Sequence, residues 1–156
     1  GSESQAQAAV RPAKDDDNLY FLVERLDADL SDGDTVELYL ADSGSDTLDT
    51  NTLRLTVGPN GLMGAARFNG SDFAEIDAGG IQAAMTLQGT IGNDEDEDTG
   101  YLVELSLPRS LLKATNDRLQ CHIVLKNQDE GGTVVEDSMS DIRWNVPDEW
   151  MTLNLG

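Results

Sequence analysis

A chain of 156 residues is long enough to bury one ordinary core, and its length points to a single domain. Thirty acidic against ten basic side chains leave a formal charge of -20 and a pI near 4.1, which excludes the positive footprint that nucleic acid or an anionic membrane surface requires. The 38% of hydrophobic residues fall in short patterned runs, and none nears the ~20 apolar residues of a membrane span, so the composition describes a folded, very polar domain with a solvated acidic surface.

Gly1-Ser2 reads as a cloning scar, and residues 1–14 as a polar leader that is either disordered or a poorly formed first strand. The domain proper is expected over 15–156. Leu19 to Leu26 (LYFLVERL) begins a series of strand signals. Thr35 to Leu40 (TVELYL) alternates cleanly, with Val36, Leu38 and Leu40 on one face and Glu37 and Tyr39 on the other. Thr52 to Val57 repeats the pattern, Leu53, Leu55 and Val57 inward and Arg54 outward. The turn Gly58-Pro59-Asn60-Gly61 then leads into a strand over Leu62 to Phe68.

Ile81 to Gln88 and Tyr101 to Leu107 form the next pair, joined across the acidic run 93–98; Tyr101, Val103, Leu105 and Leu107 share a face. Pro108 to Lys113 suits a single helical turn, because proline fits the first helical position. Arg118 to Lys126 is again a strand, with Leu119, Cys121, Ile123 and Leu125 on one side and His122, Val124 and Lys126 on the other. Short strands over 133–135, 142–145 and 151–155 follow. About eight to ten strands with hardly any helix predict an all-β fold, an antiparallel β-sandwich of jelly-roll or immunoglobulin-like type.

Enzyme signatures are missing: no nucleophile elbow, phosphate loop or zinc-protease motif occurs, and the chain has one histidine and one cysteine. The lone Cys121 excludes an internal disulfide, and thirty carboxylates single out no catalytic pair. His122 with Met63 admits haem ligation as an alternative. Asp27, Asp29, Asp32 and Asp34, crowded into one loop, offer the oxygen density that calcium takes, without the order of an EF-hand; turn chemistry accounts for the same aspartates.

Asp16-Asp17-Asn18-Leu19-Tyr20 before a hydrophobic strand, then Gly33-Asp34-Thr35-Val36-Glu37-Leu38-Tyr39-Leu40, then Gly100 to Pro108, then the ending from Trp144 to Leu155 come in an order that resembles carbohydrate-binding module family 9 over roughly residues 15 to 156. The resemblance implies a β-sandwich that holds sugar between tryptophan rings, with polar side chains of the same sheet reading hydroxyls and calcium supporting loops. Carried over to this chain, Glu37 and Arg54 are the polar readers and Trp150, after the Pro-Asp-Glu turn, is the exposed platform; Trp144 matches a strand tryptophan and packs. Ser31 stands where the family has its second tryptophan, and Thr56 and Val124 stand where it has polar readers, so Tyr39 or Phe68 must supply the other wall.

The expected function is thus a non-catalytic carbohydrate-binding module taking a neutral glycan through a sheet-face pocket. The resemblance makes it part of a larger bacterial protein placed extracellularly, at the cell surface or in the periplasm. The alternative is a structural or protein-interaction module that keeps the sandwich and has lost the sugar.

Overall fold

A computed structural model describes residues 7–26, 35–42, 48–88, 100–112, 118–128, 134–138 and 150–154. In chain order the elements are β1 (Gln7–Lys14), β2 (Asn18–Leu26), β3 (Thr35–Asp42), β4 (Leu53–Gly58), β5 (Gly61–Phe68), β6 (Phe73–Glu75), β7 (Gln82–Gln88), β8 (Gly100–Pro108), α1 (Arg109–Leu112), β9 (Arg118–Gln128), β10 (Val134–Ser138) and β11 (Met151–Asn154). All pairings are antiparallel. One sheet runs β1-β2-β8-β7; the other runs β10-β9-β3-β4-β5-β6, with β11 also paired to β9. The chain is an all-β sandwich, and the helical turn expected after Pro108 is α1.

Period-two alternation builds the core between the sheets. Leu19, Phe21 and Val23 of β2 and Tyr101, Val103, Leu105 and Leu107 of β8 meet Val36, Leu38 and Leu40 of β3, Leu53, Leu55 and Val57 of β4, and Leu119 and Cys121 of β9. Each fully buried side chain of this kind contributes about 1.5–3 kcal/mol relative to exposure. Cys121 behaves as a small hydrophobe there, since burial pushes its thiol up to about 12. Leu112 of α1 is buried as well, and the Arg67 guanidinium donates to the carbonyl of Leu111.

Two strands add to the expected set. Residues 7–14, expected as a leader either disordered or a poorly formed first strand, form β1 and pair with β2 from Gln7↔Leu26 to Lys14↔Leu19. The pattern is faint because Val10 is the one large apolar residue of the strand, the member that packs on the core; Pro12 is tolerated because β1 is an edge. The three residues of β6 are too few to show a period. They are set by the turn before them, in which Asn69 Oδ1 accepts from the amides of Ser71 and Asp72 at 3.0 and 2.9 Å, with Gly70 at φ 105°.

The eleven-residue β9 carries two strands on one edge. β10 pairs with Val124 to Gln128, whereas β11 pairs with Arg118 to Cys121. β10 ends at Ser138 and β11 begins at Met151, with Trp150 lying beside His122.

Candidate functional site

Because the inward residues of β3, β4 and β9 are fixed by the core, their neighbours must point out from the larger sheet. Glu37 and Tyr39 of β3, Arg54 and Thr56 of β4, and Gln120, His122, Val124 and Lys126 of β9 therefore share one outer face, as the alternation predicts. Trp150 joins them from the start of β11. The fold thus gathers Glu37, Tyr39, Arg54 and Trp150 on a single surface.

The state of the aromatic rings differs from the exposed platform expected of Trp150. Its residue is 4% exposed and Tyr39 is 8% exposed, and with Ala41 and Val124 they make a second, smaller apolar cluster on this face. The indole stacks on the His122 imidazole, centroids 5.8 Å apart and planes at 20°, and meets the Tyr39 ring edge-on at 6.0 Å. Tyr39 in turn meets Phe73 at 5.5 Å, and Phe73 meets Phe68 at 5.4 Å. Each such pair adds about 0.5–1.5 kcal/mol beyond area burial, so the rings gain more from one another than from facing water. Gln120 holds the arrangement by donating from Nε2 to the Trp150 carbonyl at 3.2 Å and accepting from the Thr152 hydroxyl at 3.0 Å.

Both oxygens of Glu37 are engaged. Lys126 Nζ lies 2.7 Å from Oε1, and the Tyr39 hydroxyl donates to Oε2 at 3.0 Å. Burial, reinforced by that carboxylate, pushes the Tyr39 phenol up to about 12, which keeps it a donor. The ion pair of Glu37 thus runs to β9. Arg54 instead lays its guanidinium over the Phe73 ring, 5.1 Å from the centroid, and stays half-buried. Of the two expected polar readers it is the more exposed.

His122, expected as a strand residue on the polar side, is fully buried there, and neither ring nitrogen has a hydrogen-bond partner among the described residues. Burial pulls its basicity below the ordinary value of 6.5, so the folded chain holds it neutral. The unfolded state binds the proton more tightly; stability is therefore full above about pH 6.5 and declines as pH falls through the lowered folded value. Urea midpoints should drop between about pH 7.5 and pH 5 more steeply for the parent than for His122→Phe. Equal slopes would show that the imidazole is not the titrating group. His122 and Met63 cannot share a haem iron, because β3 and β4 separate β9 from β5, a span of roughly 14 Å at ~4.8 Å per strand.

Asp27, Asp29, Asp32 and Asp34, together with Ser31 and Trp144, lie outside the described residues. Among the described residues no group of three or more His, Cys, Asp or Glu side chains is placed to hold a metal ion. A wide hollow of about 500 Å³ lies on the outer face of the other sheet, lined in part by Arg11, Tyr20, Leu22, Ala84 and Glu104, remote from every expected ligand residue.

The structure is similar to a family 9 carbohydrate-binding module from Caldicellulosiruptor kristjanssonii in complex with cellotriose, with a TM-score of 0.66 and 18% identity, covering 99% of this chain and 77% of that one. It is equally similar to a family 9 module of that organism in complex with glucose, with a TM-score of 0.67 and 18% identity over 100% of this chain and 80% of the other. No family model matches the sequence, and no curated protein matches it. The chain therefore has a family 9-like fold.

Proposed function

We propose that this domain is a non-catalytic carbohydrate-binding module that takes a neutral glycan on the outer face of its larger sheet, as an extracytoplasmic part of a larger protein. The observation that carries the reading is the convergence of Arg54, Glu37, Tyr39 and Trp150 on one face of a fold whose solved counterparts hold glucose and cellotriose. Arg54 supplies a forked donor for hydroxyls, held on Phe73 beside the aromatic cluster, with Glu37 fixing the Tyr39 hydroxyl within that cluster. A net charge of -20 favours uncharged sugars over acidic ones.

Isothermal titration with glucose and cellotriose tests the proposal, with an expected Kd of about a millimolar, or ~4 kcal/mol, for one ring held by a few hydrogen bonds. Arg54→Ala should weaken that binding about tenfold or more, ~1.4 kcal/mol, while the melting temperature stays within a few degrees. Should no sugar bind the parent in a glycan screen, the proposal fails. Calcium at Asp27, Asp29, Asp32 and Asp34 belongs to the same proposal: chelation should then lower the melting temperature, and an unchanged value removes calcium from the account.

The burial of Trp150 supports a second reading, a structural or interaction module whose former sugar face has closed. Failure of every glycan to bind, with the domain stably folded, is the result that favours it.

A further inference from the structure

We infer that the sugar ring sits not on Trp150 but three or more strands away, in a pocket of about 160 Å³ between β4, β5 and β6 lined by Arg54, Thr56, Met63, Gly64, Ala66 and Glu75. The inference rests on the carbohydrate-binding reading and moves its seat about 10 Å from Tyr39 across the sheet, at ~4.8 Å per strand.

Three features build the pocket. The first is Gly64, inside β5 opposite Thr56. A Cβ placed on it meets nothing within 4 Å, and its backbone is not in the left-handed region, so neither crowding nor conformation requires glycine there. Glycine within a strand is less stable than alanine, and its use in such a place marks a bulge or the close approach of something outside the strand. Ala66 continues the same low floor.

The second is the break in pairing between Thr56 and Val57. Val57 pairs with Leu62 and Thr56 with Gly64, so Met63 is the additional residue of a bulge. It is thrown out to 60% exposure at the rim, an apolar side chain next to an apolar floor. Its flexible thioether makes an adaptable wall for the C–H face of a sugar.

The third is the polar set. Arg54, held on Phe73, brings a fork of donors; Glu75 brings acceptors; the Thr56 hydroxyl serves as either. Adjacent hydroxyls of a pyranose demand that mixture. The volume holds about five waters at ~30 Å³ each and is about half the ~300 Å³ at the lower end for drug-sized ligands, which fits one ring rather than a run of them. The cluster of Trp150, His122 and Tyr39 is closed over itself, whereas the β4 to β6 side of this face is open among the described residues.

Gly64→Leu, whose Cβ has open space around it, projects into the pocket and should fold about as stably as the parent, while binding glucose about tenfold or more weakly by calorimetry. Thr56→Val, which keeps the shape, should weaken glucose about threefold or more. In the parent, a glucose titration followed by amide NMR should shift Gly64 and Ala66 ahead of the Trp150 indole. If Gly64→Leu binds glucose as the parent does, or if the Trp150 indole alone shifts, the pocket is refuted while the carbohydrate-binding reading stands. A parent that binds no sugar removes both.

Discussion

Trp150→Ala should cost the domain about 3–5 kcal/mol of folding stability, the range for removing a large buried aromatic side chain. The indole is enclosed by His122 on its face and by Tyr39 at its edge, and its removal opens a cavity that the neighbouring strands cannot collapse into without breaking their own pairing. Against a total of about 5–15 kcal/mol for a typical domain, that loss is about a fifth or more of what holds the chain folded. Urea unfolding read by far-ultraviolet circular dichroism measures it without relying on tryptophan emission. Trp150→Phe, which retains an aromatic face toward His122, should lose markedly less than the alanine variant. A Trp150→Ala chain whose stability falls by less than about 1 kcal/mol would place the ring on the surface, where it would again qualify as a platform. The same result bears on sugar binding: weakened glycan affinity in Trp150→Ala is interpretable only at a temperature and denaturant-free condition where the variant is shown to be folded.

Alternation made much of the face legible. The residues Val36, Leu38 and Leu40 had one plausible destination, so Glu37 and Tyr39 had the other, and the same parity in β4 and β9 placed Arg54 and His122 beside them. Parity, however, states which side a residue takes and not what covers it. The burial of Trp150 depends on β11 returning to the edge of β9 that β10 has vacated, a pairing between residues some thirty positions apart that no local pattern encodes. The Glu37 contact with Lys126 likewise depends on β3 lying between β9 and β4, because an outward carboxylate then has cations on both sides to choose from. β1 is only faintly marked in the sequence because its side chains are small, and β6 is too brief to carry a period. Gly64 did leave a signal, an isolated glycine within an otherwise strand-like run, which marks a bulge or a close approach; two neighbouring glycines in a hairpin drew attention to the turn instead.

Arg25 is the site of the other large expected effect. The inward parity of Leu19, Phe21 and Val23 on β2 continues to position 25, where an arginine is buried completely at the end of the core. Its Nη1 donates to the carbonyl oxygens of Thr35 at 2.8 Å and Lys126 at 2.9 Å, two residues that are register partners on β3 and β9 of the opposite sheet. One side chain thus ties the two sheets together where the core runs out of leucines. Charged hydrogen bonds of this kind are worth about 1.5–3 kcal/mol each, and Arg25→Ala forfeits both while deleting the bulk between the sheets, so about 3–5 kcal/mol should be lost. Arg25→Met restores volume without donors and should recover part of the packing but not the bonds. Arg25→Lys keeps one charged nitrogen with hydrogens enough for both carbonyls, on a shorter side chain, and should fall between the parent and alanine. The consequence reaches the outer face, because Lys126, anchored from within through its carbonyl, is the residue whose ammonium holds Glu37 from without. Under conditions where the lysine variant remains folded, its Glu37 and Tyr39 resonances should therefore shift. Lysine and arginine chains of equal stability would show that the two carbonyls do not depend on the reach of the guanidinium.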